Sequence, residues 1–169
     1  MMNVEKQQPK LNVPVTGLEK MLSAATLIAM IWSIVYVCVQ WTDMPDRIPI
    51  HFNGKGQVDG WGSKWTLIIL PIVSLLLYSG LTVLSKFPHV YNYPLPITEQ
   101  NAAAQYLLAR KLLGWINLEV VALFGYITWI SVKVGKGYGD GLGLWSLPII
   151  LGVLFGTLAI YFVRAFRMK

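Results

Sequence analysis

The chain has 169 residues, 55% hydrophobic and 13% charged, with a formal net charge of +6. A soluble domain carries about 25% charged residues, and one water-soluble core of this length could not enclose so much apolar surface. An ordinary soluble domain is therefore excluded, and because the bases sort by segment they read as lipid-headgroup contacts rather than a nucleic-acid patch.

Residues 1–17 are polar, include Pro9 and Pro14, and are expected to form a mobile cytoplasmic N-terminus. The rest, 18–169, reads as one membrane domain. Its first apolar run, about 21–42, carries no charge. It exceeds the roughly 7–15 residues of a signal-peptide core, so it is expected to be retained. It holds the only cysteine, Cys38, which rules out an intrachain disulfide and suits a small apolar filler. Three further runs follow at about 65–85, 110–134 and 142–164. Crossing about 30 Å of hydrocarbon takes about 20 apolar residues, and only a helix satisfies its own backbone there. The predicted class is an all-α integral membrane protein with four transmembrane helices.

Between spans one and two lies the outer loop, 43–64. Ile48, Ile50 and Phe52 alternate with Arg47, Pro49 and His51, which predicts a short strand with one apolar face. Asn53-Gly54 and Gly56 are turn signals. Together they predict a small extracellular hairpin or Ω-like loop on the helix ends. Pro71 predicts a kink near the start of span two. The segment 86–109 begins with Pro88, Pro94 and Pro96, then offers Thr98 as an N-cap and a run of good helix formers to Arg110. Span three is thus expected to begin outside the membrane. The loop "KVGKGYGDGLG" is glycine-dense and predicts flexibility. Gly152 and Gly156 in span four form a G-x-x-x-G pair, read as close packing within the chain, with dimerisation as the alternative.

Nine lysines and arginines fall on the side of the termini and segment 86–109, and five on the side of the outer loop. The positive-inside rule then places both termini in the cytoplasm and the outer loop outside. Trp41, Trp61, Trp65 and Tyr138 suit the outer interface.

The outer loop reads P-x-x-I-P-I-H-F-N-x-x-G-x-V-D-x-W-G-S-K, from Pro45 to Lys64, and a second landmark runs from Asn92 to Arg110. This pattern resembles a widespread bacterial membrane family of unknown function, the unit shared with SdpI-type toxin-immunity and signalling proteins. The resemblance covers most of the chain from about Leu22 onward. It implies a membrane protein that protects against a secreted peptide or retains a partner at the membrane; those relatives carry further spans after the shared unit.

The candidate ligand-binding residues are His51, Phe52, Asn53, Asp59, Trp61 and Lys64. An imidazole among carboxylates can report acidity or contact a ligand. The plainer reading of His51 is a hydrogen bond that pins the loop. His51 with Asp59 is the alternative metal pair, though one histidine is thin for zinc. Glu119 lies roughly 13 Å into span three at 1.5 Å per residue, and intramembrane acids point to function by default. The plainer reading is a carboxyl that holds helices together. No Ser/His/Asp or Cys/His set and no H-E-x-x-H occur, which argues against an enzyme and implies no cofactor. The expected partners are the bilayer and a peptide or membrane protein. Three functions are in play: a binding or immunity-type protein acting through the outer loop, a small transporter using Glu119, and a metal-assisted outer-face enzyme.

Overall fold

The computed structural model describes residues 8–168. The order is α1 (Gly17–Gln40), β1 (Arg47–Phe52), β2 (Val58–Ser63), a 3-10 stretch (Lys64–Ile68), α2 (Ile69–Leu84), a 3-10 turn (Pro88–Val90), α3 (Ala102–Gly135) and α4 (Ser146–Arg167). Four helical stretches are long and apolar enough to cross a membrane: Gly17–Gln40, Lys64–Leu84, Ala102–Gly135 and Ser146–Arg167. The central helix is α3, which packs on each of the other three. Its 34 residues extend about 51 Å at 1.5 Å per residue.

Each boundary has a local cause. Thr16 caps α1 with a full capping box: its hydroxyl accepts from the Glu19 N–H, and the Glu19 carboxylate accepts from the Thr16 N–H at 2.8 Å. Pro71 falls in the first turn of α2, just after the 3-10 stretch gives way to α-helix. It belongs to a helix start prepared by the 3-10 stretch. Thr98 and Asn101 bond reciprocally, Thr98 N–H to Asn101 Oδ1 at 2.9 Å and Asn101 N–H to Thr98 Oγ1 at 3.3 Å. This turn precedes α3, whose first helical residue is Ala102 rather than Glu99.

Two small clusters sit at opposite ends. At the hairpin end, Met44, Ile48, Leu67 and Val132 pack together with Tyr36 and Trp41. At the other end, Ala109, Tyr161 and Ala165 pack with Tyr91, Tyr93 and Leu95. There Tyr91 donates to the Leu84 carbonyl and Tyr93 to the Pro88 carbonyl. Burial pushes the Tyr91 hydroxyl up to about 12 and raises that of Tyr93 as well, so both stay neutral donors.

The expected mobile N-terminus falls partly on residues 1–7, which lie outside the described residues. From Gln8 onward the chain is tied to its surroundings. Gln8 donates to the Tyr91 carbonyl, Tyr106 donates to the Pro9 carbonyl, and Arg110 donates to the carbonyls of Val13 and Pro14. Outer helix faces are apolar and open: Ile28, Leu76 and Phe155 are all about two-thirds exposed. Gly152 and Gly156 of α4 face open space, so they support no close helix contact within the chain.

Candidate functional site

The loop 43–64 folds as an antiparallel hairpin, and two bulges decide what it presents. Pro49 pairs with Trp61 and His51 with Gly60, leaving Ile50 as an extra residue on β1. Phe52 pairs with Val58, leaving Asp59 as an extra residue on β2. Strict alternation is lost. Ile48 is fully buried and Pro49 is buried too, whereas Ile50 is 47% exposed instead of sharing the face of Ile48. The same bulges bring His51 and Asp59 together, Nδ1 to Oδ1 at 2.5 Å. Both stay open to solvent, with side-chain exposures of 70% and 42%. Gly60 permits this arrangement, since a Cβ there would stand 2.9 Å from the His51 Cβ.

The other predicted residues take different roles. The Asn53 side-chain oxygen accepts from the N–H groups of Lys55 and Gln57, at 2.9 and 3.1 Å, closing the hairpin turn. Lys64 turns away from His51. Its Nζ lies 3.2 Å from Asp46 Oδ1, 3.4 Å from the Met44 carbonyl and 5.5 Å from the centre of the Trp41 ring. It fastens the hairpin base to the end of α1. Phe52 is half-buried beside an apolar cavity of about 320 Å³ that Ile48, Leu67, Leu70 and Ile127 also line. Trp61 is 46% exposed. Trp41 meets Trp65 edge-on at 4.8 Å.

The glycine-dense loop after α3 is docked on the hairpin tip. Leu142 N–H donates to the Gly56 carbonyl at 2.7 Å, and Gln57 bridges Gly141. Gly56 has φ of +75°, and a Cβ on it would overlap the Gly143 carbonyl. Glycine here serves backbone approach rather than flexibility. Hairpin and loop form one cap over the helix ends.

Away from the cap, Glu119 accepts a hydrogen bond from the Thr157 hydroxyl of α4. Its other oxygen is buried without a partner among the described residues. It lines a cavity of about 460 Å³ between α3 and α4, with Trp115, Tyr126 and Val153. No group of three or more His, Cys, Asp or Glu close enough to hold a metal occurs among the described residues. His51 and Asp59 alone fall short of the three or four ligands of a zinc site.

One pair is absent from the residues singled out in the sequence. Arg110 grips Glu19, Nε to Oε1 at 2.7 Å and Nη2 to Oε2 at 2.9 Å, with both side chains largely buried. The available signal was T-x-x-E at Thr16–Glu19, a capping box; its partner 91 residues away carries none.

A family described as "Domain of unknown function (DUF1648)" matches residues 27–75, the stretch that brackets the hairpin. An uncharacterized protein of Archaeoglobus fulgidus is 28% identical over 89 residues, covering 48% of this chain and 49% of the relative. The chain thus spans about half the length of that curated relative. No solved structure matches the chain significantly.

Proposed function

We propose that the chain is a multi-pass membrane protein whose hairpin end faces out of the cell and recognises a peptide or another envelope component. The observation that carries this reading is the His51–Asp59 pair. A doubly bulged hairpin holds it in contact yet leaves it open to solvent, and the same hairpin exposes the apolar side chains of Ile50 and Trp61. An exposed aromatic and an exposed polar pair on one hairpin suit an interface anchor. The sequence resemblance to toxin-immunity proteins names the partner class, a membrane-active peptide. The excess of bases at the end opposite the hairpin supports the outward orientation. Asn53 and Lys64 support the surface from behind by fixing its turn and its base.

The test is survival. Wild type, His51→Ala and Trp61→Ala are expressed at matched membrane levels in a sensitive bacterium and challenged with membrane-active peptides secreted by bacilli. Protection by the wild type that falls at least tenfold in both variants is the expected result. No protection by the wild type against any of the peptides overturns the immunity reading.

A second reading rests on Glu119, whose buried, unpartnered oxygen lines the cavity between α3 and α4. An intramembrane acid of this kind suits proton or ion coupling. In that case proteoliposomes of the wild type dissipate an imposed proton gradient and those of Glu119→Gln do not. Equal leak rates for the two proteins would sink it.

A further inference from the structure

At the end opposite the hairpin, the start of α1, the end of α2 and the first half of α3 line a cavity of about 660 Å³. That volume lies within the roughly 300–1,000 Å³ of small-molecule sites. Its lining is graded along the helices. On α1, Lys20, Ser23 and Leu27 follow one another about a turn apart, and Lys86 just beyond α2 leads inward to Thr82 and Tyr78. Charge at the rim gives way to mixed walls, with Leu81 beside Thr82 and Leu113 about a turn before Asn117, and with Asn117 and Leu27 among the residues farthest from the rim. Lys20 to Leu27 spans about 10 Å at 1.5 Å per residue.

Three observations point to an occupant. The Asn117 side chain lines the cavity and is 6% exposed, and its oxygen has no hydrogen-bond partner among the described residues. Buried polar groups are nearly always satisfied, so this one calls for a partner. Lys20 and Lys86 are exposed at the rim and make no ion pair among the described residues. The only acid lining the cavity among the described residues, Glu19, is already engaged by Arg110 and Thr16. Among the described residues the rim therefore carries two positive charges without a carboxylate partner.

We infer that this cavity binds an anionic glycerolipid. The acidic headgroup sits between Lys20 and Lys86. The hydroxyls of a headgroup such as that of phosphatidylglycerol reach inward to Ser23, Tyr78 and Asn117, with the Asn117 carboxamide oxygen accepting from one of them. The first methylenes run along Leu81 and Leu113. A soluble anion would use the rim but not the apolar wall. The inference rests on the four-helix membrane reading and is independent of recognition by the hairpin.

Native mass spectrometry of the full chain in detergent micelles tests it. Phosphatidylglycerol, phosphatidylcholine and glycerol phosphate are added in turn to wild type, Lys20→Gln/Lys86→Gln, Asn117→Leu and, as a control, Lys55→Gln on the hairpin. Wild type and Lys55→Gln are expected to retain phosphatidylglycerol about tenfold over phosphatidylcholine. The double lysine variant falls to parity, and Asn117→Leu weakens retention of phosphatidylglycerol while leaving that of phosphatidylcholine unchanged. Thermal melting followed in parallel shows that the exposed lysine substitutions leave the fold intact. Equal retention of the two lipids by the wild type overturns the inference, as does a preference that survives the double substitution. Glycerol phosphate displacing phosphatidylglycerol at equal concentration makes the ligand a soluble phosphate and overturns the lipid. Alkaline carbonate extraction tests the membrane reading separately: a protein that stays with the pellet yet shows no lipid preference defeats this inference alone.

Discussion

Arg110 shows how one side chain can organise one end of this molecule. Its guanidinium binds both oxygens of Glu19 and the carbonyls of Val13 and Pro14, joining the N-terminal segment, α1 and α3. Breaking a buried pair from one side leaves an uncompensated charge, at a cost of about 3–5 kcal/mol. Arg110→Ala is accordingly expected to lower the melting temperature in detergent more than any single hairpin substitution. Removing both charges in Arg110→Met/Glu19→Leu should recover much of the loss. If Arg110→Ala melts with the wild type, the pair does not hold that end. His51 and Asp59 make the contrast. Their pair is exposed, so His51→Ala should change stability by less than about 1 kcal/mol while abolishing peptide protection. A melting temperature that falls along with protection would mean His51 acts by holding the fold. Little of this was legible in the sequence. His51 and Asp59 are eight residues apart and could be paired on inspection. Glu19 and Arg110 could not, because nothing local to either names the other.

At the scale of elements, the hairpin and the α3–α4 loop behave as one unit because their backbones touch at Gly56 and Gly141–Gly143. Gly56→Ala would both strain a positive φ and push on the Gly143 carbonyl. Its expected effect is about 1–3 kcal/mol of local destabilisation, seen as faster hydrogen exchange at the Leu142 amide, which the Gly56 carbonyl accepts. Unchanged exchange there would show that the two loops are not coupled. Local sequence signals gave the hairpin, its Asn53 turn and the four helices. They misplaced details that depend on neighbours. Glycines in the second loop suggested freedom, whereas Gly141 serves close contact with another loop and Gly143 a positive φ. Pro71 suggested an irregularity near the start of span two, and a 3-10 stretch from Lys64 gives way to α-helix two residues before it. Alternation placed Ile50 with Ile48, and a bulge that no residue type announces separated them.

Across the whole molecule the apolar surface is turned outward. Few large side chains are fully buried, while isoleucines, leucines and phenylalanines along α1, α2 and α4 are open. An exposed apolar area of that extent marks contact with lipid or protein, and its distribution around the bundle suits a bilayer. This level was the most legible of all, because length and apolar composition are enough to mark a helix that could span a membrane. Orientation rests on a count of nine bases against five, and recognition by the hairpin requires that the cap face outward. Accessibility labelling tests that directly. Cys38 is replaced by Ser, and Lys55→Cys at the hairpin turn and Asn92→Cys before α3 are introduced separately. Intact cells are then treated with a membrane-impermeant maleimide. The account predicts labelling at position 55 in intact cells and at position 92 only after permeabilisation. The reverse pattern, or labelling of both in intact cells, would contradict it.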